Sequence, residues 1–450
     1  MTSAVAQLDP DRQREFALSI VERLREAGHE AYWAGGCVRD LLLGRQPKDY
    51  DVATNARPAE IRDLFGRRKT LDIGAAFGVV AVVGPRQSGI VEVTTFRYDV
   101  GYSDGRHPDG VTFTTAQDDA QRRDFTINGL FYDPLANDES RRVIDFVGGI
   151  DDLERHVVRA IGDARARFGE DKLRMLRGVR FAATFGFALD AATREAIVEL
   201  APTVSVVSAE RIAQEMRMLL VLPARARAAD LLRETGLLAS ILPELVPLAD
   251  TPVAPHRPEL GNLWRRTLAV LDGLQRPRFP LGLAALLHAA ACQGHEPPEG
   301  EGAHRAAEIV NQVCQRWRLS NKEAERASWL VERHRALLNA EQMPWPRLQR
   351  LLTSEGIDDL LKLHAAIAAA AGHDASHVDY CRGRLALPPD ELNPPPLLTG
   401  DDLIHHGIPP GKIYKSLLDQ VRDAQLEKSV RSREEAIALV DRIVQKGLGT

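Results

Sequence analysis

The 450-residue sequence has few cysteines and no long apolar run. Its four cysteines, Cys37, Cys292, Cys314 and Cys381, form no CxxC pair, which argues against a zinc knuckle or a disulfide framework and favours a reducing cytoplasm. No stretch approaches the roughly 20 apolar residues of a membrane-spanning helix. The first residues lack the charged-then-apolar pattern of a signal peptide. We therefore expect a cytoplasmic protein with no membrane partner.

The sequence also lacks the excess of positive charge that is common in nucleic-acid-binding proteins. Its formal net charge is -5, although arginines are dense between Arg141 and Arg180 and a local basic face can still bind RNA. The net charge thus neither supports nor excludes an RNA partner. With 44% hydrophobic and 27% charged residues, the chain is typical of globular proteins, and its length predicts several domains.

Secondary-structure patterns divide the chain near residue 145. Before it, an amphipathic helix that starts at Asp9-Pro10 is followed by strand-like runs at 50–53, 79–83 and 90–96 and by weaker ones at 111–114 and 129–132. After it, almost every segment has helical periodicity. The prediction is an α+β protein with a catalytic head of mixed or antiparallel sheet and helices, followed by an all-α remainder. Its predicted segments are the head 1–146, a neck 147–222, a body 223–345 and a tail 346–450.

The first motif with chemical meaning is a pair of glycines before a short helix, in Gly35-Gly36-Cys37-Val38-Arg39-Asp40. Glycines allow close approach of a phosphate to the backbone, and a helix N-terminus offers free N–H donors. Arg39 can then clamp a triphosphate. A plain turn is the alternative for Gly35 and Gly36 taken alone.

The second motif is a set of carboxylates on strands. Asp49 and Asp51 are two residues apart in KDYD, so both can reach one face of a strand and bind Mg²⁺. Glu92, in the strand VEVTTF, can complete that metal shell and help to deprotonate a 3′-hydroxyl. A surface strand with alternating acids, or an ordinary cross-strand pair for Glu92, is the alternative.

Joined in order, GGCVRD, DYD and VEVTTFR resemble the bacterial class II family of tRNA nucleotidyltransferases and poly(A) polymerases. The likeness continues through RRDFTING (122–129), EDKLR (170–174) and SAERI (208–212). It implies a polymerase-beta-like head in which Asp49 and Asp51 hold the catalytic magnesium ions. It also implies that Arg123 contacts the bound nucleotide.

Further along, a helix predicted from about residue 170 to 185 carries polar residues at every third position, which places them on one broad side. An aspartate accepts a hydrogen bond from an exocyclic amine and an arginine donates to a ring nitrogen or a carbonyl, so they can read a base without a template. The resemblance implies this role for Asp171 and Arg174, with Arg177 and Arg180 nearer the rest of the nucleotide. A solvated, salt-bridged helix face is the alternative.

The implied activity is addition of C, C and A to tRNA 3′ ends from CTP and ATP. The segment 97–113 is similar to the mobile loop of CCA-adding members, although Arg106-His107 stands where the family usually has two arginines. The alternatives are a poly(A) polymerase, an enzyme that adds only CC or only A, and a non-catalytic RNA-binding relative. Protein partners are not predictable from the sequence.

The body resembles a degenerate HD phosphohydrolase domain. An arginine in Leu263-Trp264-Arg265-Arg266 replaces the first metal-binding histidine, and Ala289 replaces the aspartate after His288. A lone His288, with His334 as part of the same scaffold, is not a metal site, so we expect no phosphohydrolase activity and a body that holds tRNA. The histidine pairs 373/377 and 405/406 are expected to be ordinary surface residues.

Overall fold

The computed structural model describes residues 8–74, 77–101, 110–253, 261–292, 301–411 and 413–447. Two compact units make up the chain: unit 1 contains residues 1–246 with 316–318, and unit 2 contains residues 247–315 with 319–450. The predicted α+β class is confirmed, since a mixed sheet with helices is followed by helices. The finer segment boundaries at 146, 222 and 345 stay predictions.

Unit 1 is built around a seven-stranded sheet whose order is β3-β4-β5-β2-β1-β8-β9. The β2–β5 pair is parallel, and the other neighbours in this sheet are antiparallel. A separate antiparallel hairpin joins β6 to β7, and β10 pairs with β11. The strands are β1 Ala31–Ala34, β2 Asp51–Thr54, β3 Thr70–Gly74, β4 Val79–Val83, β5 Ile90–Thr95, β6 Arg97–Val100, β7 Gly110–Phe113, β8 Phe131–Tyr132, β9 Val143–Ile144, β10 Val157–Val158 and β11 Ala188–Leu189.

Strands β2, β4, β5, β7 and β8 follow the predicted runs, whereas the other six strands were not predicted. In β5, Val91 and Val93 are buried and Glu92 is exposed, as predicted. The strand β3 was not predicted, since its exposed Leu71 and Ile73 break the alternation.

Helices cover the sheet and continue the chain in unit 1. Helix α1 begins with Asp9 accepting a hydrogen bond from the Asp11 N–H and with Pro10 at its first position, both strong start signals. The helices of this unit are α1 Pro10–Glu26, α2 Gly36–Leu42, α3 Pro58–Phe65, α4 Ala116–Gln121, α5 Gly149–Glu154, α6 Ala164–Glu170, α7 Leu173–Phe185, α8 Ala191–Leu200, α9 Ala209–Val221, α10 Arg225–Glu234 and α11 Leu237–Ile241, with short 3₁₀ helices at Thr126–Asn128, Glu139–Arg141 and Ala201–Val206.

The regular secondary-structure elements in the described part of unit 2 are all helices. Helix α13 is apolar and buried along its whole length, and it packs between α12 and α15. None of the helices in the described ranges is long and apolar enough to cross a bilayer. They are α12 Leu263–Gly273, α13 Phe279–Leu287, α14 Glu301–Arg316, α15 Asn321–Glu332, α16 Trp345–Leu352, α17 Ile357–Ala370, α18 Ser376–Leu385, α19 Pro389–Leu392, α20 Gly400–His405, α21 Ile413–Leu426 and α22 Arg433–Gly447; a 3₁₀ helix, Pro243–Ala249, precedes them and another is Ala340–Gln342.

The structure corrects one histidine prediction. His377 is only 7% exposed and its ring lies 5.4 Å from that of His364, because it lies in the first turn of helix α18 and faces inward. It is therefore not a surface residue. His373, His405 and His406 are exposed, as predicted. His406 contacts the Asp441 carboxylate at 2.7 Å.

Candidate active site

Three carboxylates meet at the end of strand β2. Asp51 and Glu92 are direct neighbours in the parallel β2–β5 register, and Asp49 precedes Asp51 by two residues in the segment that leads into the strand. The residue between them, Tyr50, is buried against Trp33 with ring centroids 4.9 Å apart. Because Tyr50 points inward, the flanking Asp49 and Asp51 point outward, where both are exposed.

This crowding changes the acidity of Asp51. Its carboxylate is reachable by solvent, yet the surrounding protein displaces enough water to raise the pKa to about 7, and the charges of Asp49 and Glu92 add to the rise. Arg123 acts in the opposite direction. The three carboxylates therefore carry more negative charge than Arg123 balances.

A divalent cation would balance this excess of negative charge. Exposed carboxylate oxygens are the ligands that Mg²⁺ prefers, and Mg²⁺ is usually held by one or two carboxylates with water and substrate phosphates rather than by a complete protein cage. In the part of the chain that the structure describes, no three His, Cys, Asp or Glu side chains form such a cage. Asp49 and Asp51 have the chemistry of an open site of this kind.

Beside the carboxylates, the chain turns at Gly35. Its φ of +72° is a conformation that favours glycine, and a Cβ there would lie 2.8 Å from Nη1 of Arg123. The Gly35 N–H donates to the Leu130 carbonyl at 3.0 Å, which ties the turn to the segment that carries Arg123. Glycine is thus required at 35 by geometry, and Gly36 begins α2. Phosphate binding by either glycine stays a prediction.

Arg123 is held in place by Asp119, which the sequence analysis missed. Asp119 is fully buried. Its carboxylate forms ion pairs with Nη2 of Arg123 at 3.0 Å and with Nη2 of Arg122 at 2.7 Å. Burial opposes its charge, but the two arginines outweigh burial and lower its pKa. The spacings i, i+3 and i, i+4 from Asp119 on α4 were the available sequence signal.

Arg39 is less accessible to a triphosphate than predicted. It is 8% exposed, donates to Asn128 Oδ1 at 2.6 Å and to Asp40 Oδ1 at 2.9 and 2.7 Å, and lies 4.6 Å from the Phe185 ring. Because protein acceptors already occupy its guanidinium, a triphosphate reaches it only if one of these bonds opens. Its contact with the nucleotide stays a prediction.

Asp124 and Asn128 connect the two ends of the site. Asn128 donates to Asp124 Oδ1 at 3.0 Å, while Asp124 Oδ2 accepts from Arg177 at 2.8 Å. Burial opposes the charge of Asp124, but Arg177 and the hydrogen bond from Asn128 outweigh it and lower the pKa to about 2. A continuous chain of contacts therefore runs from Arg39 through Asn128 and Asp124 to α7.

The four nucleotide-binding residues predicted for this helix, of which Asp171 and Arg174 are predicted to read the base, all lie on or just before α7. The helix starts at Leu173 rather than at 170, so Asp171 stands in the extended connection after α6. Its Oδ1 accepts the Leu173 N–H at 3.0 Å, and this local hydrogen bond competes with a continuous helix. The predicted helix start was therefore wrong.

Each of these side chains has a protein partner. Arg211 donates to both carboxylate oxygens of Asp171, at 3.1 and 2.7 Å. Arg180 pairs with buried Glu215 at 2.7 Å, and Arg174 with Glu170. Arg211 lies in the SAERI stretch that the sequence analysis quoted, whereas Glu215, one turn further along α9, gave no recognisable signal.

The predicted mobile loop at 97–113 is a hairpin at its base. Strands β6 and β7 pair from Arg97↔Phe113 to Val100↔Gly110. Phe113 lies close to Gly78, where a Cβ would be 3.1 Å from its ring. Residues 102–109, which include Arg106-His107, lie outside the described residues.

The sequence of this chain matches known proteins. The family model "Poly A polymerase head domain" matches residues 31–159, and the model "Probable RNA and SrmB- binding site of polymerase A" matches residues 186–248. A CCA-adding enzyme of Geobacillus kaustophilus (strain HTA426) is 34% identical over 428 residues, which cover 94% of this chain and 95% of the relative. The chain belongs to the family of CCA-adding enzymes.

Solved structures agree with this family. The crystal structure of Bacillus stearothermophilus CCA-adding enzyme in complex with CTP has 30% sequence identity and a TM-score of 0.72, covering 97% of this chain and 99% of that one. Thermotoga maritima CCA-adding enzyme complexed with tRNA has a TM-score of 0.63 over 98% of this chain and 97% of that chain, at 19% identity, and so shows the fold alone.

CCA-adding enzymes are nucleotidyltransferases, and this family generally uses a divalent metal. The carboxylates Asp51 and Glu92, the Gly35 turn and Arg123 lie within the matched head domain, while Arg211 and Glu215 lie within the second matched segment. The residues 160–185, with Asp171 and α7, fall between the two matched segments.

Proposed function

We propose that this chain adds C, C and A to the 3′ end of tRNA without a template, in the cytoplasm. The 3′-hydroxyl attacks the α-phosphate of CTP or ATP, and pyrophosphate leaves. The observation that carries the proposal is the β2–β5 register, which sets Asp51 beside Glu92. The four free cysteines are compatible with a reducing compartment.

Asp49 and Asp51 would hold Mg²⁺, which when bound neutralises the phosphates and favours the ionised 3′-hydroxyl. Glu92, the neighbour of Asp51 in the sheet register, would accept the proton of that hydroxyl. Arg123, fixed by Asp119, supplies positive charge next to Asp51 and so orients the triphosphate. Gly35 and Gly36 leave room for phosphate at the start of α2.

Asp171 and Arg174 would choose the base. Cytosine and adenine both carry an exocyclic amine that donates, whereas guanine and uracil present a carbonyl at the equivalent position. A carboxylate attracts the first two and repels the others. Because Arg211 fixes both oxygens of Asp171, that acceptor stands at a defined position. Oδ1 also accepts the Leu173 N–H, so Oδ2 is the oxygen that keeps a second lone pair for the base.

The test is incorporation of labelled CTP and ATP into a tRNA that ends at the discriminator base. Wild-type protein is expected to add C, C and A and stop. Asp49→Ala, Asp51→Asn and Glu92→Gln are each expected to reduce kcat by at least about a hundredfold, since they remove charge at the reacting phosphate.

Glu22→Gln, at an exposed acid of α1, is the matched control and should retain full activity. A long A tail would instead identify a poly(A) polymerase, and addition of only CC or only A would identify a partial enzyme. If the wild-type and Asp49→Ala proteins are equally inactive, the chain is an RNA-binding relative without catalysis.

A further inference from the structure

Unit 2 contains a cavity of about 1000 Å³, and none of its lining residues is among those assigned above to nucleotide transfer. Its lining comes from α12, α14, α16 and α17, from the end of α15 and the start of α18, and from the segments that precede α12 and α16 and follow α13, α15 and α17. Exposed Glu332, Glu341 and Asp374 lie among the lining residues together with Arg347. The volume is at the upper end of the range for small-molecule sites.

Arg266, on α12, lines this cavity. Within the described ranges its guanidinium forms no ion pair, and its Nε is buried without a hydrogen-bond partner. A buried donor without a partner is costly, and more so when it is charged. A buried polar group without a partner therefore calls for an explanation, and a bound ligand that pairs with it supplies one.

His377 supplies a second unsatisfied group in the same lining. The residue is 7% exposed, and its Nε2 is buried with no hydrogen-bond partner among the residues that the structure describes. Two polar side chains from different helices, α12 and α18, thus end in the same cavity with hydrogen-bonding capacity unused.

His288 adds a defined acceptor beside them. Its Nδ1 lies 2.8 Å from the Ala285 carbonyl, which can only accept, so Nδ1 carries the hydrogen and Nε2 is left as the acceptor. The ring lies 5.9 Å from that of His334. Burial, with the neighbouring charges of His334 and Arg266, keeps the pKa of His288 at about 3, so the ring is neutral.

We propose that this cavity binds a small phosphate monoester, with Arg266 pairing with the phosphate and the His288 Nε2 accepting a hydrogen bond from a hydroxyl or amine of the organic part. A guanidinium matches a phosphate through parallel N–H···O bonds. The volume accommodates a group the size of a nucleoside monophosphate.

A metal ion suits the same cavity poorly. Two histidine rings close together can resemble a metal site, but the positive charge of Arg266 acts against a second cation, and the described residues contain no group of three ligands there. The arginine takes the place that a cation would otherwise have in attracting phosphate.

The test is hydrogen–deuterium exchange of the full-length protein with and without ribose 5-phosphate, with inorganic phosphate and with Zn²⁺ in separate arms. Ribose 5-phosphate is expected to slow exchange in peptides from α12, α13 and the segment around His334. Arg266→Gln should weaken this binding at least about tenfold, as for the loss of a charge-assisted hydrogen bond, and Arg266→Lys should recover part of it.

Arg265→Gln, at the exposed neighbour on the same helix, is the matched control and should bind like wild type, and circular dichroism checks the fold of every variant. CTP addition should be unchanged in all of them. Protection of unit 2 by Zn²⁺ alone, equal protection in Arg266→Gln, or no gain of ribose 5-phosphate over inorganic phosphate would each overturn the proposal.

Discussion

Arg180 and Glu215 form the kind of ion pair in which each partner depends on the other. Their side chains are 14% and 4% exposed and lie 2.7 Å apart. Burial lowers the pKa of Arg180, and Glu215 opposes that effect. Glu215→Gln is therefore expected to destabilise the protein by about 3 kcal/mol, because it leaves a buried charge uncompensated. Urea unfolding followed by circular dichroism measures this.

The matched control is the Arg165–Glu199 pair, which has the same 2.7 Å separation but side chains that are 50% and 55% exposed. Glu199→Gln should cost less than about 1 kcal/mol, as surface pairs do. Equal losses for the two variants would show that separation, and not burial, sets the strength of these pairs.

Asp171 carries a prediction about base choice. Asp171→Asn adds an N–H donor beside the remaining oxygen, so the site should begin to accept uracil, whose carbonyl the carboxylate repels. The ratio of kcat/KM for CTP over UTP is expected to fall about tenfold to a hundredfold, the usual weight of one base-edge contact. Single-nucleotide incorporation measures it, and an unchanged ratio would remove Asp171 from base selection.

For single residues, the sequence predicts the members of the candidate site better than it predicts which side chains they contact. Asp49, Asp51 and Glu92 stand out because strand alternation places polar side chains on one face. Arg211 and Glu215 reach α7 from α9 through tertiary packing, for which one sequence contains no spacing rule. His377 was misjudged for the same reason, since its burial depends on α17.

Among the helices, α7 depends on a glycine. Gly178 packs against Phe125, whose ring would lie 3.0 Å from an added Cβ. Gly178→Ala is expected to destabilise the protein by about 1–2 kcal/mol through overpacking, even though alanine is the better helix former. Thermal unfolding measures the difference.

Gly169, in α6, is the matched control because a Cβ there would meet nothing within 4 Å. Gly169→Ala should stabilise by up to about 1 kcal/mol through helix propensity. If Gly178→Ala were also stabilising, α7 would have room to move away from Phe125.

In the sheet, the positions of several strands are predictable from the sequence, but the pairing of the strands is not. Strands β2, β4 and β5 follow from their apolar runs, and β5 also from its alternation. Their pairing does not follow, because β2 and β5 are joined by parallel hydrogen bonds although three elements, α3, β3 and β4, lie between them in the chain. The register that brings Glu92 to Asp51 is a long-range property. Sequence reasoning supplied the face of each strand and left the neighbour undetermined.

For the whole molecule, buried neutral histidines predict a pH dependence of stability. Burial lowers the pKa of His288 to about 3 and that of His364 to about 4, below the unfolded value near 6.5. Above that value neither state binds the proton, so the stability is complete. As the pH falls from 6.5 towards 4, these histidines are protonated only in the unfolded chain. Each of them should therefore lower the free energy of unfolding by about 1.4 kcal/mol per pH unit.

His288→Gln should remove the contribution of one histidine from the change of unfolding free energy with pH. Urea unfolding between roughly pH 4.5 and 6.5 measures this change. His304→Gln, at an exposed histidine of α14, should leave the slope as it is. A His288→Gln protein with the wild-type slope would contradict the buried neutral state.

The contact between Asp124 and Arg177 also limits how this protein can be divided. The two residues lie on opposite sides of the predicted boundary at residue 146, as do Arg39 and its stacking partner Phe185. A gene exchange at that boundary would bring together an aspartate and an arginine from different ancestors, and any mismatch would leave a charge buried. The two segments are therefore expected to be inherited as one block, although their sequence patterns differ.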